Sequence, residues 1–291
     1  MAGDKGYTPK EDRVVRDELA KLGEKIRNWA KKYSAASLED LSALSGKEQE
    51  AVIKQLRRFT SQADWDALIG SMPFSQSKIP ALLVQALLAR DIFERIFGDP
   101  FFAFTRLECE STLPDSKEMM RVYFTMGRIN ETDAHIWRSQ TLQNLSKSSG
   151  PETKSFVQQR LDSICSKLPS NFVSGPAGVL LRPVKDGGGS TPREKELYAL
   201  YNGAAQLASC LWMQRTYIIC QSQQHLPVFN VANPAMSAHR LHQLDEDEIR
   251  LDGKRTLLVV QPAIVALGSE DAEHYDRRKV WAPAIVVVGE R

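Results

Sequence analysis

Cysteine is scarce in this chain. Cys109, Cys165, Cys210 and Cys220 are the only four in 291 residues, too few and too widely spaced for a disulfide framework. Net charge is nearly absent as well: 38 Lys and Arg stand against 36 Asp and Glu, a formal +2. Residues 1–60 hold 13 of the basic and 10 of the acidic side chains, far from the concentrated basic charge of a nucleic-acid binder. No long apolar run is free of charge. The most apolar segment, residues 79–97, contains Gln85, Arg90, Asp91, Glu94 and Arg95, which marks a buried helix of a water-soluble protein and not a membrane span. Near the start, Asp4, Lys5, Glu11, Asp12 and Arg13 break any signal-like stretch, and the acids between Lys10 and Tyr33 do not suit a mitochondrial presequence. The expectation is an intracellular protein, cytoplasmic or nuclear, with neither nucleic acid nor membrane among its partners. Asn130-Glu-Thr132 and Asn144-Leu-Ser146 match the glycosylation pattern, which has no meaning without export.

Catalytic signatures are missing too. Lys185-Asp-Gly-Gly-Gly-Ser190 precedes a helix, where anions are favoured. The phosphate-loop pattern needs Gly-Lys-Ser/Thr at the helix start, however, and Pro192-Arg193 stands there instead; the dinucleotide spacing is also absent. The segment reads as a flexible linker. Ser75-Gln-Ser-Lys78 has no Lys-Thr-Gly to accompany it, and there is no Gly-x-Ser-x-Gly. Cys165 lies on an apolar stripe, while Cys210 and Cys220, ten apart on an expected helix, fall on different faces. His135, near Trp137, reads as a buried, hydrogen-bonded histidine with no nucleophile to activate. The nearest approach to a metal site is His239, His242 and Asp245, since residues three apart on a helix share a face. Zinc proteases place their histidines four apart with Glu beside the first, and here Arg240 takes that slot. No metal and no cofactor are expected, and the two histidines read as surface residues beside the acidic run 245–248.

What the sequence does carry is a helical seam. Val15, Leu19, Leu22, Ile26, Trp29 and Tyr33 recur in alternating steps of four and three, so all six fall on one stripe of an amphipathic helix. Such a seam packs against another helix, in the same chain or in a partner. Its polar flank, from Lys10 to Lys32, has eight basic and five acidic side chains, the mixture of a solvated face. Thr8-Pro9-Lys10-Glu11 and Thr191-Pro192-Arg193-Glu194 both have the form of a capping box with Pro at the first helical position. They open expected helices to about Tyr33 and to about Cys220. Further helices are expected at 38–44, 47–59, 64–69, 79–97, 132–145 and 151–168, the fourth of these ending at Gly98 with Pro100 just beyond. Residues 116–130 suit helix or strand, because Val122-Tyr-Phe-Thr125 is rich in strand formers. Beyond about His225 prolines break the helical pattern, and β-branched runs follow at 256–260 with 264–265 and at 280–288. Pro262 and Pro283 confine these to edges or bulges.

The fold class expected is mainly α: a multi-helix globular domain over residues 1–225, with the amphipathic helix at about 8–33, and a Pro-containing loop with a small β element over 226–291 packed on the helical body. Three stretches carry a resemblance: Phe93-Glu-Arg-Ile-Phe-Gly-Asp-Pro-Phe-Phe102; Trp137-Arg-Ser-Gln-Thr-Leu142; and Val259-Val-Gln-Pro262 followed by Glu270-Asp-Ala-Glu-His-Tyr-Asp276 and Val280-Trp-Ala282. Together they resemble a broad group of proteins from filamentous ascomycete fungi, over most of the chain from the first helix onward. That group has no assigned activity, so the resemblance transfers no site residue and implies only an intracellular fungal protein. The leading expectation is a non-catalytic interaction or regulatory protein with a protein partner, docking through the seam residues. The second is a helical small-molecule-binding protein or enzyme with a pocket between helices near Trp137, Tyr201 and Trp212. The third is a metal-dependent enzyme around His239 and His242.

Overall fold

Apolar side chains surround the whole axis of residues 79–92, and a helix of that kind has to be covered on every side. In the computed structural model, which describes residues 8–105, 114–148, 150, 153–183, 191–245 and 248–290, α4 (Ile79–Ile92) is the centre of the core. Leu83, Val84, Leu87, Leu88 and Ile92 have no exposure at all. The expected continuation to residue 97 is not α-helical: Phe93–Phe97 widens into a π turn. The Phe93 carbonyl in this turn accepts from Cys220 Sγ at 3.8 Å. The chain stops at Gly98 as expected, although not through a left-handed conformation, since its φ is −79°. A Cβ at Gly98 would stand 2.7 Å from the Glu94 carbonyl oxygen, so the close backbone approach is what requires glycine.

The seam of α1 (Asp12–Tyr33) packs on α4, on α8 (Pro192–Trp212) and on strand β5 (Arg278–Ala282). Thr8 does not cap this helix; Glu11 is the N-cap residue and makes no side-chain cap bond. The polar groups of the first turn are turned to other partners. Lys10 Nζ donates to Glu18 at 2.6 Å, and Asp12 accepts from Lys279 Nζ at 2.5 Å and Trp281 Nε1 at 3.0 Å. The second box forms as read: Thr191 and Glu194 cap α8 reciprocally.

The other helices depart from expectation mostly at their ends. Residues 38–44 form only a short 3-10 turn, Glu39–Leu41. α2 (Gly46–Leu56) is capped by Ser45 and Glu48, and α3 (Trp65–Ser71) by Asp64. The ambiguous stretch is helical as α5 (Ser116–Ile129), where the Asp115–Glu118 capping box outweighs the strand formers inside it. α6 (Glu131–Leu145) follows from Asn130, while α7 (Phe156–Ser174) starts at the Ser155 cap and continues through Pro169, past the expected end at 168. α8 stops at Trp212 and not at about Cys220, because the chain turns into strand β1 (Tyr217–Gln221). Cys210 and Cys220 therefore do not share a helix, and strand structure begins ahead of residue 226.

Two three-stranded sheets complete the described structure. One has the order β1-β4-β5, all antiparallel, with β4 at Ala263–Leu267. The other has the order β2-β6-β3, with β2 (Met236–Ala238) parallel to β6 (Ala284–Val288) and β3 (Thr256–Gln261) antiparallel to it. Pro262 and Pro283 lie between β3 and β4 and between β5 and β6, where the chain leaves one sheet for the other. A residue without an N–H suits that crossing, where ladder pairing is interrupted. β3, buried along its whole length, packs on α4 and joins the sheets to the helical body. Among the described residues no helix is long and apolar enough to cross a membrane. Cys109, the 187–190 linker and positions 246 and 247 of the acidic run lie outside the described residues.

Candidate functional site

The six seam residues are used inside the chain. Val15, Leu19, Leu22, Ile26 and Trp29 are at most 5% exposed, and Tyr33 is half-buried. Trp29 Nε1 also donates to the Arg193 carbonyl at 3.3 Å. They offer a partner no free face, so the expected docking surface is an intramolecular contact.

Trp137, Tyr201 and Trp212 are likewise held in packing and do not converge on a pocket. Tyr201 OH donates to Asp91 Oδ2 at 2.6 Å, Trp137 packs on Phe101, and Trp212 lies under the guanidinium of Arg138, 5.1 Å from its ring centroid. Arg138 fills this region. It is fully buried, and its Nη2 donates to the carbonyls of Gln214 and Thr216 at 2.5 and 3.0 Å. Gln143 Nε2 takes the Met213 carbonyl at 2.8 Å. Two side chains of α6 thus satisfy the carbonyls just past the C-terminus of α8, the end that favours a cation. Next to them Tyr123 OH meets Arg138 Nη1 at 3.3 Å and His135 Nδ1. Burial pushes the His135 pKa down to about 3. His135 is therefore neutral, as well as buried, at physiological pH.

His239 and His242 sit on the turn that follows β2, and the parallel pairing of β2 with β6 holds that turn in place. His239 N–H extends the ladder to the Val286 carbonyl at 2.7 Å. His242 is fixed at both ring nitrogens: Nε2 accepts from the Val288 amide at 3.0 Å, and Nδ1 faces Glu290 Oε1 at 3.4 Å. The ring of Phe74 lies against both imidazoles, at centroid distances of 6.2 Å and 4.7 Å. Both histidines are buried, contrary to the expectation of surface residues, while Asp245 is exposed. Among the described residues no group of three or more His, Cys, Asp or Glu side chains is placed to hold a metal ion.

His239 differs from His242 in one respect. Its Nδ1 accepts the Leu241 amide at 3.3 Å, so in the neutral ring the proton is on Nε2. Burial first, then the neighbouring Arg240, His242 and Arg27 side chains, push its pKa down to about 4. His239 is accordingly a hydrogen-bond donor at neutral pH and has no free basic nitrogen. It lines a cleft between α1, the start of α4 and the turn after β2. The cleft has two lobes, of about 300 and 680 Å3, that share Arg27, Gln85, His239 and Arg240. The smaller lobe is lined by Arg27, Lys31, Lys78, Arg182 and Arg240 and by no Asp or Glu. Gln85, 5% exposed, lies at the junction of the lobes with no hydrogen-bond partner for its amide among the described residues. In the larger lobe the charges are mixed, with Arg16 beside Asp17 and Glu24, and Trp281, Ala282, Pro283 and Ile285 supply an apolar wall.

Comparison with protein-family models, with curated proteins and with solved structures gives no significant match.

Sequence reasoning missed the five cations of the smaller lobe. Arg27 and Lys31 are four apart and so share a face of α1, a signal that was present but looked like ordinary solvated charge. Arg182 and Arg240 come from distant parts of the chain. They reach the lobe only because an antiparallel bridge joins Ser34 to Leu181 and because β2 pairs with β6.

Proposed function

We propose that the protein is a non-catalytic binding protein whose ligand carries negative charge in the smaller lobe of the cleft. The charge of that lobe supports the reading: five cationic side chains and no carboxylate line one concavity. Like charges gathered in this way repel one another, and an anion among them relieves the repulsion and is drawn in by their summed field. The state of His239 supports a binding role over a catalytic one, because its only basic nitrogen is engaged by the Leu241 amide and the other is a donor. Docking through the α1 seam is not part of this proposal. An intracellular site of action, cytoplasmic or nuclear, is part of it, in keeping with cysteines too few and too widely spaced for a disulfide framework.

Thermal unfolding in inorganic phosphate against chloride, at equal ionic strength, tests the reading. Phosphate stabilises folded proteins in general, so the rise left in a Lys78→Glu/Arg240→Glu variant is the background. Both side chains are exposed and make no hydrogen bond or ion pair among the described residues, so the variant is expected to fold, which its own unfolding transition checks. The wild-type protein is expected to gain more from phosphate than the variant does, with the difference growing with phosphate concentration by mass action. An equal gain in both proteins overturns the proposal.

A further inference from the structure

Resting on that reading, we infer that the anion is the phosphate of a phosphomonoester whose uncharged organic body lies in the larger lobe. Three independent features of the cleft lead there. The first is the donor set of the smaller lobe. It is lined by Ser77, Lys78, Ala81 and Leu82, the first turn of α4, whose N-cap residue Lys78 makes no side-chain cap bond. Pro80 brings no N–H to this turn and the Lys78 and Leu82 amides donate to the Ser75 and Lys78 carbonyls, so the turn contributes the Ala81 amide and the positive end of the helix dipole, which favour a multiply charged anion. Arginine forks match phosphate oxygens, and a phosphomonoester carries nearly two negative charges at neutral pH. Arg27 is already paired with Glu24 at 2.9 Å, and one carboxylate would still leave most of the other four cations uncompensated.

The second feature is the buried polar floor. Gln85 and His239 are each 5% exposed, and each leaves a polar group without a partner toward the cleft: the Gln85 amide and the His239 Nε2–H. Phosphate offers three terminal oxygens that accept and no group that donates, which suits a floor whose histidine can only donate.

The third feature is the change of character from one lobe to the other. Asp17 and Glu24 enter the lining of the larger lobe and offset its arginines, which disfavours a second phosphate there. The apolar wall of Trp281, Pro283 and Ile285 faces a second buried amide, that of Gln261, 9% exposed and also without a side-chain partner among the described residues. An uncharged body with hydrogen-bonding groups fits between such a wall and such an amide.

Calorimetric titration of the full chain with inorganic phosphate, acetate, AMP, glucose 6-phosphate and glycerol 3-phosphate tests the inference, with adenosine, glucose and glycerol as the dephosphorylated controls. At least one phosphomonoester is expected to bind about tenfold or more tighter than inorganic phosphate, with no measurable binding of its control. Gln261→Leu is expected to remove that margin and leave the phosphate affinity as it was. If no phosphomonoester exceeds inorganic phosphate, or if acetate binds as well as phosphate does, the inference is overturned while the anion-binding reading stands. If inorganic phosphate does not bind at all, both are overturned.

Discussion

The side-chain amide of Gln261 occupies the space that a Cβ on Gly23 would take: an ideal Cβ there would stand 2.0 Å from Gln261 Oε1. A glycine in the middle of α1 is unfavourable for the helix by roughly 0.5–1 kcal/mol relative to alanine, so its presence there has to be explained by tertiary structure. Its missing side chain lets the β3 amide approach α1 at the wall of the cleft. Gly23→Ala is expected to change stability by less than about 1 kcal/mol, because the helical gain of alanine offsets the displacement of a flexible side-chain end. Ligand affinity is expected to fall, since the displaced amide is pushed into the larger lobe. Urea unfolding paired with calorimetry on the variant checks both, and an unchanged affinity would argue against any part for Gln261 in binding.

Arg138 gives a prediction on stability alone. Each hydrogen bond from a charged donor contributes roughly 1.5–3 kcal/mol, and Arg138 supplies two to the carbonyls that follow α8. Arg138→Met is expected to destabilise the protein by roughly 3 kcal/mol or more. Arg138→Lys is not expected to rescue it, because a single ammonium cannot reproduce the planar fork. Denaturant midpoints for the two variants decide the matter; a lysine variant with wild-type stability would show that charge without the fork is sufficient.

Acid should weaken the fold before its carboxylates titrate. His135 and His239 have pKa values lowered to about 3 and about 4, and His242 is lowered as well, in each case first by burial. A lowered histidine binds fewer protons folded than unfolded, so its contribution is full above the unfolded value of about 6.5 and is lost as pH falls toward the folded value. Asp12, Glu48, Asp162 and Glu196 are lowered carboxylates, whose contributions are lost only below about 4. Asp99, raised by burial, acts in the opposite direction. Urea unfolding across the pH range is therefore expected to show a decline that starts near 6.5. Constant stability from there down to about 4.5 would mean that the three rings protonate freely in the folded state.

Removing residues 1–35 separates the two uses of a helical seam. Val15, Leu19 and Ile26 are at most 1% exposed, and without α1 the apolar faces of α4, α8 and β5 beneath them would meet water. The truncated chain is expected to aggregate or to melt at a markedly lower temperature. A monomeric truncation with unchanged melting would show that the seam is dispensable to the fold.

The class of fold and most helices were legible because they rest on local signals. Ser45 with Glu48, Asp115 with Glu118 and Thr191 with Glu194 each form a reciprocal cap, and the apolar sequence of α4 matches its burial. What could not be read depends on contacts across the chain. The π turn at Phe93–Phe97 leaves no periodic trace in five residues. The end of α8 at Trp212 is fixed by Arg138 and Gln143 from another helix. His239 and His242 resembled a ligand pair in spacing, yet the β6 backbone that orients them is more than forty positions away, at Val286 and Val288. The cleft was the least legible part, since exposed lysines and arginines have no sequence pattern that distinguishes a shared concavity from open solvent.

The contact of Asp12 with Lys279 and Trp281, across 267 and 269 positions, bears on how the chain is made. During synthesis α1 leaves the ribosome before α4, α8 or β5. Its seam can settle on α4 early, but the cover from α8 and β5 arrives only when most of the protein has been translated. Until then a stripe holding Trp29 and Ile26 stays partly open, the kind of surface that chaperones hold and that drives association of nascent chains. Closing such long-range contacts is also slow, so yield in a heterologous host should depend on chaperone supply and growth temperature more than on the stability of the finished fold.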